Sequence, residues 1–365
     1  MNNTPSRPAK NKFTALLLKW NREKNNRQMP WKGEKDPYRI WLSEIILQQT
    51  RVEQGLNYYN NFIKTFPDVH SLAKAPDAKV FKLWEGLGYY TRCRNLIASA
   101  KYISKELKGK FPATYDDIKA LKGVGPYTAA AIASFAFSLP HAVVDGNVFR
   151  VLARIIGIDT PTDSTEGKKI FTTLAEELLD KKQPGLYNQA IMDFGAVVCK
   201  PAAPLCSNCV FNKTCVAYRD NKVALLPVKE KKITIKKRWF YYLVLQYKND
   251  IFIRQRTDKD IWQGLYEFPL IETMNETTVT ILLKQAEKNN WLSKGSYEIK
   301  SVSPLYKQQL SHQLIAGQFI TIQLTRIPAA GNNWMRVSKK TPDRYAFPQF
   351  INQYLQASIR ATALF

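Results

Sequence analysis

Residues 121–150 read LKGVGPYTAAAIASFAFSLPHAVVDGNVFR, and this stretch decides the fold. Gly123 and Gly125 bracket Val124, with Leu121 and Ile132 as apolar anchors on either side of a tight hairpin. A helix-forming run, residues 129–133, follows at once. Glycine lets a backbone turn through positive φ, so the amides of residues 123–127 are expected to point outward beside a helix N-terminus. Outward amides at the positive end of a helix dipole bind a phosphate without reading any base. Asp145 lies twenty residues beyond Gly125, after the apolar stretch 141–144 and just before a second helix. Alone, a Gly-x-Gly turn often does no more than cap a helix, and an Asp before Gly146 and Asn147 is often only an N-cap. The combination is more specific. A hairpin that grips a backbone, set beside a carboxylate, suggests an enzyme acting on DNA.

Charge supports that direction. Lys and Arg number 54 against 30 Asp and Glu, a net charge of +24, with a pI near 9.7. An anionic polymer is the natural partner of such a chain. At 365 residues it is long enough for two or three domains, each with its own core. No apolar run reaches the ~18 residues a membrane span requires, and the opening MNNTPSRPAKNKF lacks the apolar centre of a signal peptide. A cytoplasmic, nucleoid-associated location is therefore expected, where thiols stay reduced.

The hydrophobic period divides the chain. Phe13, Leu16, Leu17 and Trp20 fall at i, i+3, i+4 and i+7, an amphipathic helix, and helical patterns continue to about residue 200. VALLPVKEKKITIKKR, from Val223 on, reads as a linker rich in Lys. Beyond it, residues 239–247 and 251–256 look like two strands joined by Lys248, Asn249 and Asp250, and 318–325 like another strand. Helices are expected at 277–289 and 348–356. The reading is an all-α domain over 8–220, a basic linker over 221–237 and an α+β domain over 238–365.

Four of the five cysteines, Cys199, Cys206, Cys209 and Cys215, form the pattern C-x6-C-x2-C-x5-C. In a reducing compartment this indicates a metal site, and spacing alone suits either zinc or an iron–sulfur cluster. Cys93, in GLGYYTRCRNL, reads as a small buried thiol. Residues 29–50, MPWKGEKDPYRIWLSEIILQQT, set Glu44 among Trp41, Leu42, Ile45, Ile46 and Leu47. Such a glutamate is often simply solvated; facing a pocket instead, it would be held protonated near neutrality by desolvation. Asp145 reads as the opposite case, kept ionised by backbone amides and the helix dipole. A raised carboxyl beside a lowered one can cleave a glycosidic bond through an oxocarbenium-like state.

The 121–150 segment resembles the helix-hairpin-helix and aspartate of the endonuclease III superfamily of DNA glycosylases. WLSEIILQQT resembles its adenine-specific branch, the MutY type. The resemblance implies an all-α helix-hairpin-helix glycosylase domain with an iron–sulfur loop. It makes Glu44 the acid that protonates adenine, Asp145 the group that stabilises the sugar cation or bonds transiently to C1′, and Asn147 its hydrogen-bonding partner. Tyr127 stands where strand-cleaving relatives carry a lysine. Trp31, Lys32 and Gln189 match positions lining the adenine pocket, Lys32 in place of a common arginine. Gln49 and Tyr89 match residues that wedge into the stack opposite and beside an extruded base, Thr50 is a further DNA-binding position, and a base inside a duplex is out of reach without such extrusion. Gly123, Val124 and Gly125 would hold the DNA backbone, and the four cysteines a [4Fe–4S] cluster.

Further on, IFIRQRTDKDIWQGLYEFPL resembles an α+β Nudix-like domain. Nudix hydrolases hold metal with a tight cluster of glutamates; Glu272, Glu276 and Glu287 are scattered, which implies the fold without that hydrolysis. Leu310, Ser311 and His312 match a Phe-Ser-His loop that reads 8-oxoguanine, with Leu310 replacing the aromatic. The expected partner is double-stranded DNA carrying adenine opposite 8-oxoguanine or guanine. The expected chain is monomeric and monofunctional, and retains configuration at C1′. A glycosylase/lyase of endonuclease III type and a non-catalytic DNA-binding protein are the alternatives; Tyr127 argues against the first, Glu44 and Asp145 against the second.

Overall fold

The computed structural model describes residues 10–230, 234–328 and 334–362. The first residues of MNNTPSRPAKNKF, the expected domain start at residue 8, part of the expected linker (231–233) and the last three residues lie outside them. The chain forms two compact units, one of residues 1–74 and 95–232, the other of 75–94 and 233–365.

In the first unit, α1 (Lys10–Lys24), α2 (Pro37–Leu47), α3 (Val52–Thr65) and α4 (Val69–Lys74) come first. The chain then passes through α5 (Asp77–Trp84), which belongs to the second unit, and α6 (Thr91–Lys105), which crosses the division. There follow α7 (Tyr115–Ala120), α8 (Pro126–Phe137), α9 (Gly146–Ile156), α10 (Thr165–Leu178), α11 (Pro184–Val197) and the short α12 (Val216–Arg219). Caps set several of these ends. Asp36 accepts from the Tyr38 amide ahead of α2, Ser164 from Gly167 ahead of α10, and Pro stands at the start of α2, α8 and α11. α8 is apolar all round, with residues 128–134 buried, and packs against α2, α7 and α11. Phe13, Trp20, Phe194 and Phe211 form one aromatic knot in which α1 meets α11 and the chain before α12.

The expected linker is not free over its first half. Leu226 is buried, Arg154 Nε donates to the Leu226 carbonyl at 2.9 Å, and the Thr162 amide donates to the Val228 carbonyl at 3.0 Å. Its lysines mark the solvent side of a segment whose apolar residues and carbonyls dock on α9 and the loop before α10.

The second unit is built on an eight-stranded mixed sheet. Its elements are β1 (Lys236–Tyr247), β2 (Asp250–Gln255), β3 (Tyr266–Glu267), β4 (Leu270–Thr273), α13 (Val279–Lys288), β5 (Tyr297–Val302), β6 (Tyr306–Gln309), β7 (Gln313–Leu324), β8 (Met335–Ser338) and α14 (Gln349–Thr362). The main order is β3-β2-β1-β7-β5, with β4 on β1, β6 on β7 and β8 on β2. β1 and β7 run parallel from Lys236↔Gln313 to Gln246↔Gln323. Both faces are covered: Trp239, Tyr241 and Leu243 pack with Leu282 and Ala286 of α13, while Tyr242 and Phe319 stack with Phe350 and Tyr354 of α14. Hence β1 reads as a nearly continuous apolar run rather than an alternation. Among the described residues no helix is long and apolar enough to cross a membrane.

The β1–β7 pair depends on Gly317, which lies opposite Phe240; a Cβ there would collide with the Phe240 carbonyl. Gly317→Ala is expected to destabilise the protein by roughly 2 kcal/mol or more through overpacking. Urea denaturation reads this, and an unchanged midpoint would show that the strands separate freely.

Candidate functional site

Glu44 sits on α2 and is almost fully enclosed, at 7% exposure. Burial pushes its carboxyl up to about 7; a hydrogen bond from Tyr127 opposes the shift and the nearby Asp145 adds to it. Burial also raises the Tyr127 phenol well above its usual value, so its hydroxyl stays protonated and donates to Glu44. Asp145 is the N-cap of α9. Its carboxylate accepts from the Val148 amide and from Asn147 Nδ2, both at 2.8 Å. Sequence alone predicts Asp145 below its normal range, and the structure corrects that. Burial outweighs the hydrogen bonds from Val148 and Asn147 and the charge of Arg150, so this carboxyl is raised as well.

These groups share an open cavity of about 1300 Å³. Trp31, Glu44, Gln49, Thr50, Tyr127, Asp145, Asn147 and Gln189 all line it. Lys32 does not: its Nζ donates to the Arg27 carbonyl at 2.9 Å and lies 3.4 Å from Asp193. Arg27 lines the cavity instead, with Nη1 2.8 Å from Oδ1 of the fully buried Asp193. Gln189 Nε2 donates to that same oxygen at 2.9 Å. Neither Arg27 nor Asp193 was singled out from sequence. The signal was present in AIMDFGAVV, an acid inside an apolar helical run as at Glu44.

Behind Asp145 a relay of hydrogen bonds runs to the cysteine loop. Arg150 Nη2 donates to Asn147 Oδ1 and to the Gly195 carbonyl, both at 2.8 Å, and Nε to the Cys199 carbonyl at 2.7 Å. Gly195 is required here, since a Cβ would stand 2.6 Å from the Asn147 Cβ. Arg154, one turn on, donates to the Lys200 carbonyl at 2.7 Å and approaches Cys199 Sγ at 3.6 Å. Cys199, Cys206, Cys209 and Cys215 line one small cavity. Among the described residues no three metal-binding side chains are grouped closely enough for a single ion. Cys93 is buried and remote in sequence from this loop.

In the hairpin only Gly123 has positive φ, at 82°, whereas Gly125 is extended. The expected run of five outward amides is thereby corrected. Pro126 has no N–H, and the Val124 amide donates inward to the Leu121 carbonyl at 3.1 Å, with its side chain buried. Gly123 and Gly125 remain exposed.

In the second unit Tyr89, Leu310, Ser311 and His312 line a cavity of about 1180 Å³. The Tyr89 and Ser311 hydroxyls are hydrogen-bonded. Glu272 is engaged by Arg238 at 2.7 Å and Glu287 by the Tyr297 hydroxyl at 3.0 Å.

A helical unit with a hairpin and a pair of buried carboxyls, joined to a mixed-sheet unit, defines a base-excision glycosylase with an added Nudix-like domain. Residues 42–177 match the model of the HhH-GPD superfamily base excision DNA repair proteins, and residues 240–357 that of the NUDIX domain. The adenine DNA glycosylase of Buchnera aphidicola subsp. Baizongia pistaciae is 36% identical over 324 residues, covering 88% of this chain and 89% of the relative. That of Mus musculus is 41% identical over 216 residues, 57% of this chain and 42% of its own. Among solved structures, a thermostable thymine-DNA glycosylase superposes with a TM-score of 0.54 at 29% identity, covering 58% of this chain and 97% of that one. The chain belongs to the adenine DNA glycosylase family, hydrolases of N-glycosyl bonds in base excision repair.

Glu44 links the site to stability. Its folded pKa, about 7, lies above the ordinary 4.5, so its contribution is complete below pH 4.5 and lost as pH rises through 7. At about 1.4 kcal/mol per unit, Glu44→Gln is expected to gain roughly 3 kcal/mol on the native protein between pH 4.5 and 8. Parallel denaturation curves for both proteins at every pH would contradict that shift.

Proposed function

We propose that this glycosylase removes adenine paired with 8-oxoguanine, and more slowly adenine paired with guanine, leaving an abasic site without cutting the strand. The observation that carries the reading is a carboxyl held protonated near neutrality, Glu44, in one cavity with a second carboxyl, Asp145. Glu44 donates its proton to a ring nitrogen of the extruded adenine. The C1′–N bond then breaks with its electron pair leaving on the base, and water adds at C1′ and gives up a proton to complete the abasic site. Asp145 faces the sugar cation; positive charge developing beside a carboxyl favours its ionised form, which offsets the upward push of burial. Asn147 orients it. Tyr127 donates to Glu44 and carries no amine that could form a Schiff base with the sugar. Trp31, Arg27 and Gln189 line the space for the base.

Cys199, Cys206, Cys209 and Cys215 fit a [4Fe–4S] cluster. Four thiols line one cavity, a donor set that suits a thiolate-bound group, and burial that lifts Cys209 to about 11 calls for bound positive charge to keep thiolates. When bound, such a cluster holds the loop's shape and supplies no hydrolytic group. Through Arg150 the same loop supports Asn147. In the second unit the cavity at Ser311 and His312 takes the base opposite adenine, and DNA is gripped at the exposed Gly123 and Gly125.

The test is single-turnover excision on a duplex with adenine opposite 8-oxoguanine, scored with and without alkali. Strand breaks are expected only after alkali, and breaks without it would replace this reading with a lyase. Asp145→Asn should bind the duplex but lose at least ~100-fold in turnover; near-native turnover would remove Asp145 from the mechanism. Tyr127→Lys should introduce some alkali-independent nicking, and complete absence of nicking would show that the residue at 127 does not divide the two chemistries.

A further inference from the structure

Within the second unit, residues 85–90 make a turn with little conformational preference of its own. Gly86, Gly88 and Tyr89 all have positive φ, at 90°, 79° and 49°, and only the glycines adopt that region freely. Local bonds shape the turn: Trp84 Nε1 donates to the Gly88 carbonyl at 3.0 Å, and the Gly86 amide to the Tyr90 hydroxyl at 3.1 Å. None of these bonds places the turn against the rest of the unit. Glu85 does. Its Oε1 accepts from the Phe347 amide at 2.7 Å and from Asn352 Nδ2 at 3.0 Å, while Oε2 pairs with Lys82. Lys82 reaches on to the Tyr345 carbonyl at 3.2 Å. At the far end of the turn, Arg94 donates to the Gln263 carbonyl at 2.6 Å. The side chain held between these anchors is Tyr89, whose hydroxyl meets Ser311 in the cavity wall.

We propose that Glu85 is a positioning residue for selection of the base opposite adenine, because its carboxylate ties the Tyr89 turn to residues 347–352 and so brings the Tyr89 and Ser311 hydroxyls together. This rests on the reading of the Ser311 cavity given above. Hydrogen bonds to a charged group are strong, and losing the acceptor leaves the enclosed Phe347 amide without its partner. The turn is then free to drift, and Tyr89 with it. The expected consequence is a loss of discrimination rather than of chemistry, since Glu85 touches none of the reacting groups. Glu85→Gln keeps an oxygen for Phe347 and Asn352 and gives up the charge, with the ion pair and hydrogen bond to Lys82.

The experiment measures single-turnover adenine excision opposite 8-oxoguanine and opposite guanine, using the full chain and the variants Glu85→Ala, Glu85→Gln, Asn352→Ala and Ser311→Ala. Thermal midpoints are recorded for each. Glu85→Ala is expected to lower the ratio of the two rates by about tenfold, as loss of charge-assisted hydrogen bonds allows, with the rate opposite guanine little changed. Glu85→Gln should restore most of the ratio. Asn352→Ala attacks the tie from its other end, should lower the ratio in the same direction, and decides the matter if Glu85→Ala does not fold. Both rates falling together at constant ratio in Glu85→Ala and Asn352→Ala, while Ser311→Ala lowers it, would overturn the role of Glu85 and leave the cavity reading intact. A ratio unchanged by Ser311→Ala would overturn the cavity reading, and the role of Glu85 with it.

Discussion

Everything in the cavity shared by Glu44 and Asp145 hangs on the N-terminus of α9. Asp145 caps that helix, so its position is set by the backbone of residues 146–148 rather than by a mobile side chain. The helix is in turn held from behind by its own arginines. Arg150 spans Asn147, Gly195 and Cys199, and Arg154 spans Leu226, Lys200 and Pro201. A guanidinium presents its donors in a rigid fork, so one residue can fix several segments at once in a way an ammonium cannot. The cysteine loop is therefore part of the wall that sets the carboxylate, although no cysteine faces the cavity.

The site shows how environment assigns different work to similar groups. Glu44 and Asp193 are both acids inside apolar helical runs. Asp193 is met by Arg27, Lys32, Asn25 and Gln189, and becomes the hub that aligns one wall of the cavity. Glu44 has a hydrogen bond from Tyr127 and a like charge nearby, so burial prevails and the proton stays on. An unmatched buried carboxyl is costly, and that cost is what keeps the proton on Glu44 near neutrality.

Much of this was legible in the sequence because the signals were local. Period and caps marked α1, β1 and the helix after Asp145, while resemblance supplied the expectation that Glu44, Asp145 and Tyr127 meet. What escaped was non-local or energetic. The carboxyl of Asp145 follows burial more than its cap, and burial is a property of the folded neighbourhood. Lys32 turns away from the cavity because Asp193 and the Arg27 carbonyl attract it, and Arg27 takes its place. The lysines after Val223 suggested a linker because composition sees the solvent side, whereas Leu226 and three backbone hydrogen bonds face inward. Residues 75–94 fall within a helical stretch of sequence, yet their anchors lie in residues 233–365, far along the chain.

Two of the residues expected to enter the base stack share a backbone feature that neither announces. Gln49 has φ of 57° and Tyr89 of 49°, each just past the end of a helix or turn, in a region where a side chain carries a steric cost. Such a conformation persists only where surrounding bonds enforce it. For Gln49 these include the Thr50 amide donating back to the Leu47 carbonyl at 3.0 Å; for Tyr89, the Arg92 amide donating to the Tyr89 carbonyl at 2.8 Å. Asparagine or glycine would relieve the strain at either position but would shorten or remove the side chain. Retaining a long side chain on a left-handed residue makes sense where the chain must turn sharply and still project a probe from the turn. Lys108, Lys248 and Trp262 carry long side chains on the same kind of backbone, at φ of 52°, 52° and 61°, so the cost is accepted wherever this chain must turn sharply, whereas α9 avoids it by stopping at Gly157.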